Sequence, residues 1–187
     1  MANFTKKAIE ASFLKLLNER PLNKITVKDI VEDCGINRNS FYYHFDDIPS
    51  LMKGMIREEF EDIVSQYPGP DNLKKCVLSA IERVIENKRA FLHIYNSTAR
   101  DIFEQNLWEA CDHCVRAYTR EKFGGYHVSE EDGALILNFY KSMVYGQISL
   151  WIAGGLKDDI VKVYNRLLEL SDGMITEMFR RGQKPNK

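Results

Sequence analysis

The segment Ile25–Phe45, ITVKDIVEDCGINRNSFYYHF, decides how the rest of the chain is read. It predicts two short helices joined by a tight glycine turn. Thr26 is a good N-cap, and Val27, Ile30 and Val31 form the apolar side of the first helix. Cys34-Gly35 closes that helix, because glycine enters the left-handed region without a steric penalty. Ile36 can fill the space between the helices. Asn37 can cap the second one, which carries Arg38, Asn39, Ser40, Phe41, Tyr42, Tyr43, His44 and Phe45. Only Phe41 and Phe45 are strongly apolar there and, four residues apart, they share a face. The other side chains suit a DNA groove and its flanking phosphates. This is the helix-turn-helix pattern, whose second helix enters the major groove.

Working outward, residues 5–19 are expected as an amphipathic helix. Thr5 is its cap, and Ala8, Ile9, Ser12, Phe13, Leu16 and Leu17 recur at three- and four-residue steps. Arg20-Pro21 stops it, and its apolar face braces the two helices above into a three-helix module. A fourth helix is expected over about 47–67, with Pro49 in its first turn and a stripe of Ile48, Met52, Met55, Ile56, Phe60, Ile63 and Tyr67. Pro68-Gly69-Pro70 is the clearest break. Asp71 can cap the next helix, with Leu73, Val77, Ala80, Ile81 and Val84 inward. Further helices are expected over about 89–95 and about 100–122, the latter ending at Gly124-Gly125. Ser129 with Asp132 reads as a capping pair for a long helix to about Gly154, and a last helix covers about 158–181. No strand alternation or internal repeat interrupts this, so the fold class is all-α.

The matching pieces ITV-x-DI-x-x-x-x-GI, S-FYYHF and the following Leu51, with the amphipathic helix before them, closely resemble the TetR family of bacterial transcriptional regulators. The resemblance implies an N-terminal three-helix DNA-binding module over residues 1–47. A C-terminal helical ligand-binding and dimerisation domain would cover 48–187. Carried over position by position, it implies DNA contacts from Thr26, Lys28, Arg38, Asn39, Ser40, Tyr42, Tyr43 and His44, with Tyr43 partly in the core. Arg reads guanine bidentately and Asn reads adenine, so Arg38 and Asn39 are chemically suited to base edges. One departure matters. The family usually carries a lysine where this chain has Ile48, and Asp46-Asp47 precede it. A phosphate contact is expected to be lost there, weakening non-specific binding. FYKSMVYGQISLWIAGGLKDD, residues 139–159, is similar in part to a subgroup that includes regulators of dihydroxyacetone kinase genes, and carries no regulatory target by itself.

The formal net charge of −1 excludes a polycationic DNA-coating protein. Residues 1–50 carry seven basic and seven acidic side chains, so a DNA reading needs the bases gathered on one face. No apolar run is long enough for a membrane span, and the charged N-terminus is unlike a signal peptide. Cys34, Cys76, Cys111 and Cys114 show no disulfide framework, which fits a reducing, cytoplasmic setting.

The last two expected helices are apolar over most of their circumference. They read as a four-helix bundle with a second copy through Leu135, Phe139, Ile148, Ile152, Val163, Leu167, Leu170, Met174 and Met178. A large intrachain core is the plain alternative. The resemblance implies a small-molecule cavity, for which Phe91, Tyr95, Asn96, Phe103, Trp108, Tyr140, Met143, Gln147 and Trp151 are the candidates. Cys111-Asp112-His113-Cys114 puts two thiols on one helix face without a third and fourth zinc ligand, so buried structural cysteines are expected and no metal or cofactor. His93 and His127 have no partner pattern. No catalytic signature stands out, which argues against an enzyme. The reading is a homodimeric DNA-binding transcriptional regulator, a repressor under small-molecule control, on a palindromic operator in double-stranded DNA. The alternative is a protein-interaction adaptor that kept the fold and lost or weakened DNA binding.

Overall fold

The computed structural model describes residues 2–67 and 73–183, so Pro68-Gly69-Pro70 and the Asp71 cap lie outside the described residues. The elements are α1 (Ala2–Glu19), a 3₁₀ turn (Leu22–Lys24), α2 (Val27–Asp33), α3 (Arg38–His44), α4 (Ile48–Gln66), α5 (Leu73–Glu86), α6 (Lys88–Tyr95), α7 (Arg100–Phe123), α8 (Glu130–Ala153), α9 (Ile160–Leu170) and α10 (Met174–Gly182). One isolated antiparallel bridge joins Val128 and Gln183, and no strand occurs among the described residues. The chain is all-α, as expected.

Two boundaries differ from expectation. α1 starts at Ala2, so Thr5 sits inside the helix. The cap preference of threonine does not stop a helix whose upstream residues can also be helical. The expected last helix is two. α9 ends at Leu170 with Ser171 as its C-cap, and Gly173 adopts φ +73° before α10 begins. The Ser171 hydroxyl donates back to the Leu167 carbonyl at 2.6 Å, and the left-handed glycine reverses the chain.

The helices form two compact units. The first comprises Met1–Asp62 and Arg83–Asn106. Its core is Ile9, Phe13, Leu17, Ile30, Phe41, Leu51 and Met52, all at most 2% exposed. α1 is the hub, packing on α2, α3 and α6. Its last turn is also held by polar contacts. The Leu17 carbonyl lies 2.7 Å from His93 Nδ1, and Asn18 accepts from the Ala90 N–H and donates to Asn87 Oδ1. His93, unpaired on the sequence pattern, thus has a structural partner.

The second unit comprises Ile63–Glu82 and Leu107–Lys187. One part of its core gathers Val115, Phe123, Ile136, Tyr140 and Phe179, with Phe123 and Phe179 stacked at 4.5 Å. α8 buries Ile136, Tyr140, Lys141, Trp151 and Ile152. A lysine in that row is tolerated because its ammonium has partners. Lys141 Nζ lies 2.9 Å from Asp112 Oδ1 and 4.2 Å from the Trp108 ring centroid.

Candidate nucleic-acid interface

The turn between α2 and α3 is built by local hydrogen bonds. Thr26 makes a reciprocal cap with Asp29. Its Oγ1 accepts from the Asp29 N–H at 3.2 Å, while its own N–H and hydroxyl donate to Asp29 Oδ2 at 2.8 and 2.6 Å. These bonds, the hydroxyl first, hold the Asp29 carboxyl below the usual carboxylate range. Gly35 adopts φ +69°, and Ile36 N–H donates back to the Val31 carbonyl at 2.9 Å, closing α2. Asn37 Oδ1 then accepts from the Ser40 N–H at 2.9 Å and from the Ser40 hydroxyl at 3.1 Å, opening α3.

α3 is two-faced. Phe41 and Phe45 are buried, their rings 5.9 Å apart. Arg38, Asn39, Tyr42 and Tyr43 are exposed, with Tyr43 at 78% and Tyr42 at 52%. Tyr43 is therefore not core. It lies two residues, about 200°, from Phe41, on the opposite side of the helix. His44 is half-buried and meets the Tyr43 ring edge-on at 5.0 Å. Of the eight residues expected at DNA, α3 thus presents Arg38, Asn39, Tyr42 and Tyr43 on one outward face. Thr26 and Ser40 have their hydroxyl protons committed to caps.

The basic side chains of this segment are largely neutralised in place. Lys6 and Lys7 pair with Glu58 and Glu10, Lys15 with Asp33, Arg20 with Asp29 at 3.3 Å, and Lys28 with Glu32 at 3.7 Å. Lys24 and Arg38 have no carboxylate within ion-pair distance among the described residues. Nothing in the sequence pattern singled out Lys24; its signal is the absence of an acid three or four residues away. Asp47 caps α4, accepting from the Ser50 N–H at 2.7 Å. Its negative charge thus serves a helix start. Ile48, the first residue of α4, is half-buried.

The other expected sites are less gathered. Of the effector candidates, Phe91, Tyr95, Asn96 and Phe103 belong to the first unit, where Phe103 packs edge-on against Phe91 and Tyr95. Arg100 donates to the Tyr95 hydroxyl at 2.7 Å. The remaining five belong to the second unit. Tyr140 and Met143 are part of the Phe123–Phe179 cluster, Trp151 donates to the Asp158 carbonyl at 3.1 Å, and Gln147 is half-buried. Trp108 packs edge-on against Tyr145 and borders an open groove of about 580 Å³ with Glu109, Asp112, His113, Arg116, Ala117 and Arg120.

Of the dimer candidates, Leu135, Phe139, Val163, Leu167 and Leu170 are exposed, from 37 to 67%. Ile148 is half-buried. Ile152 is 2% exposed and so is enclosed within its own chain, and Met174 and Met178 pack on the Phe123–Phe179 cluster. Leu150 and Leu168, part of the same apolar bands, are also exposed on these two helices. In the Cys111–Cys114 segment, Cys111 is buried, Cys114 half-buried and His113 exposed. No three metal-binding side chains converge among the described residues.

A tight, capped helix pair with one buried and one outward aromatic face defines a helix-turn-helix protein. Residues 11–54 match the family model for bacterial regulatory proteins of the tetR family, and residues 71–173, more than half of the chain, match a transcriptional regulator C-terminal region. The chain belongs to the TetR family of transcriptional regulators. It is 22% identical over 177 residues to the HTH-type dhaKLM operon transcriptional activator DhaS of Lactococcus lactis subsp. lactis (strain IL1403), covering 89% of this chain and 88% of that one. Its fold is similar to that of a dihydroxyacetone kinase operon activator DhaS (TM-score 0.77, 17% identity, 96% of this chain and 98% of that chain). It is also similar to that of a flavonoid-responsive regulator, FrrA (TM-score 0.65, 17% identity, 99% and 100%). These families and relatives are regulators, not enzymes. No described helix is long and apolar enough to cross a membrane.

Proposed function

We propose that the protein is a homodimeric DNA-binding regulator that works in the cytoplasm, with residues 1–47 as the DNA-binding part and 48–187 as the effector-binding and dimerisation part. The observation that carries this is the outward face of α3, where Arg38, Asn39, Tyr42 and Tyr43 stand clear of a core anchored by Phe41 and Phe45. Arg38 and Asn39, in the first turn, supply base-edge donors and acceptors, while Lys28, His44 and the tyrosine hydroxyls serve phosphates. Two such helices in a twofold dimer require a palindromic site with half-sites about 34–36 Å apart. The exposed leucines of α8 and α9, with Phe139, support the dimer, because a face of that composition is unfavourable in water. A small-molecule effector taken up within 48–187 acts by binding one arrangement of the two DNA-binding parts better than the other.

Repression is the family's usual mode and is our reading of the sign. The activator names of the two DhaS relatives favour a second reading, in which the operator-bound protein raises transcription. Selection from a random DNA pool tests the core of the proposal, and a reporter behind the selected site gives the sign. Enrichment of a twofold-symmetric sequence is expected. A dimer that enriches nothing would replace the regulator with the adaptor reading.

A further inference from the structure

The outward side of α3 has a centre and two flanks, and they differ in chemistry. Measured around the helix from Phe41, Arg38 and His44 stand at about 60°, Ser40 and Tyr42 at about 100°, and Asn39 and Tyr43 at about 160°. Exposure follows the same order after Phe41: His44 is half-buried, Tyr42 is 52% exposed and Tyr43 is 78% exposed. The centre therefore belongs to Asn39 and Tyr43, which are one turn apart and share a face. Ser40, on one flank, has its hydroxyl committed to Asn37 Oδ1 at 3.1 Å. The Tyr43 ring is held in place by His44, which meets it edge-on at 5.0 Å. A large, supported aromatic ring thus stands where α3 reaches furthest from its own core.

On the floor of a major groove, such a ring finds one apolar partner. The edges of guanine, adenine and cytosine offer only hydrogen-bond donors and acceptors, whereas thymine adds a C5-methyl group. Covering a polar edge with the body of a ring removes its water and returns no hydrogen bond, while covering a methyl group is favourable. We propose that Tyr43, on the DNA-binding reading above, on which this rests, is a specificity-determining residue whose ring packs on a thymine C5-methyl in each half-site. Asn39, one turn away, is matched to adenine. With α3 lying along the groove, the two side chains are about 6 Å apart along its axis, or about two base-pair steps. The centre of each half-site is therefore an A·T-containing segment, in which a thymine met by Tyr43 lies within about two base pairs of an adenine met by Asn39. The Tyr43 hydroxyl lies beyond the ring and keeps its phosphate role. Tyr42, on the flank, serves the backbone alone.

The test uses the full-length protein and the operator enriched from a random DNA pool. Each thymine of a half-site is replaced in turn by deoxyuridine, symmetrically in both halves. This removes the methyl group and keeps the base pair. Affinities are measured by fluorescence anisotropy at one salt concentration. At one position the wild type is expected to lose about fourfold per half-site, and about fifteenfold for both, the worth of one buried methyl group each. Tyr43→Ala binds more weakly overall and no longer separates thymine from uracil there. Tyr43→Phe keeps the separation, and so does Tyr42→Ala. A ring that merely stiffened α3 would weaken binding to both operators equally and leave their ratio unchanged in Tyr43→Ala. That outcome would overturn the proposal. So would a wild type indifferent to every uracil, or a ratio lost in Tyr42→Ala instead. Failure of the DNA-binding reading itself is distinct, because the wild type then enriches no sequence from the pool, and the proposal falls with it. Tyr43 is 78% exposed, so its truncation leaves the core intact, and Tyr43→Ser gives the same readout should the alanine variant fail to fold.

Discussion

Ile48→Lys restores the cation that the family places at the start of the fourth helix, and its effect can be worked out in advance. Ile48 is half-buried at the first position of α4, directly after the Asp47 cap. A lysine stem can cover the same apolar surface while its ammonium reaches solvent. A cation in the first turn opposes the helix dipole by roughly 0.3–1 kcal/mol, so the variant is expected to stay folded with slightly lower stability. In a dimer the substitution adds two phosphate contacts, each steepening the dependence of log K on log salt by about 0.9. The slope therefore grows by about 1.8, and a fourfold rise in salt costs the variant about twelvefold more affinity than the wild type. Fluorescence anisotropy on the selected operator between about 50 and about 200 mM salt measures both slopes. An unchanged slope in a folded variant that still binds would refute the idea that Ile48 stands where a phosphate contact is missing.

Three further perturbations test other parts of the account. Thr26→Ala removes the reciprocal cap and is expected to cost about 1 kcal/mol in urea unfolding. Asp29 has a lowered folded-state pKa, so its contribution is present above the unfolded value and lost as pH falls through the folded one. The gap between wild type and Thr26→Ala should thus narrow as pH drops below about 4, and a gap that widens would contradict it. Asp112→Asn leaves Lys141, 8% exposed, without its carboxylate. A loss of about 2 kcal/mol is expected, below the roughly 3–5 of a fully buried pair, because Asp112 is partly exposed and Trp108 still faces the ammonium. An unchanged midpoint would show that the pair is held only loosely. Leu167→Glu with Leu170→Glu places two charges per chain on the exposed apolar face of α9. Sedimentation at micromolar protein should then show monomer, and a persistent dimer would move the interface elsewhere.

What could be read from the sequence follows how local its causes are. The Thr26 cap, the Gly35 turn and the Asn37 cap act within four residues of themselves, so α2 and α3 were legible to within a residue, Phe45 falling at the C-cap rather than inside α3. The break between α9 and α10 was equally local, at Ser171-Asp172-Gly173. The four-residue rhythm of Leu170, Met174 and Met178 runs straight across it and hides it. Tyr43 was misplaced because its burial was taken from family positions, although its angle from Phe41 already pointed outward. The effector candidates illustrate the other limit. An aromatic residue announces that it packs, but which neighbours it packs on depends on contacts far away in sequence, and the nine candidates divide between the two units.

The internal pairing of the module's cations bears on selectivity more than on whether DNA is bound. Non-specific affinity comes almost wholly from cations meeting phosphates. Here Lys6, Lys7, Lys15, Arg20 and Lys28 already face carboxylates, so each must exchange one partner for another on DNA and gains little. Arg38 has no such partner among the described residues, and its most useful destination is a guanine edge rather than the backbone. Lowering the shared, sequence-independent part of the affinity while keeping base contacts raises the ratio of specific to non-specific binding, the quantity that matters when genomic sites compete. Arg38→Ala should accordingly lower operator affinity by about 1–3 kcal/mol per base contact and leave binding to unrelated duplex nearly unchanged. Equal losses on both would place Arg38 on a phosphate and remove this argument for selectivity.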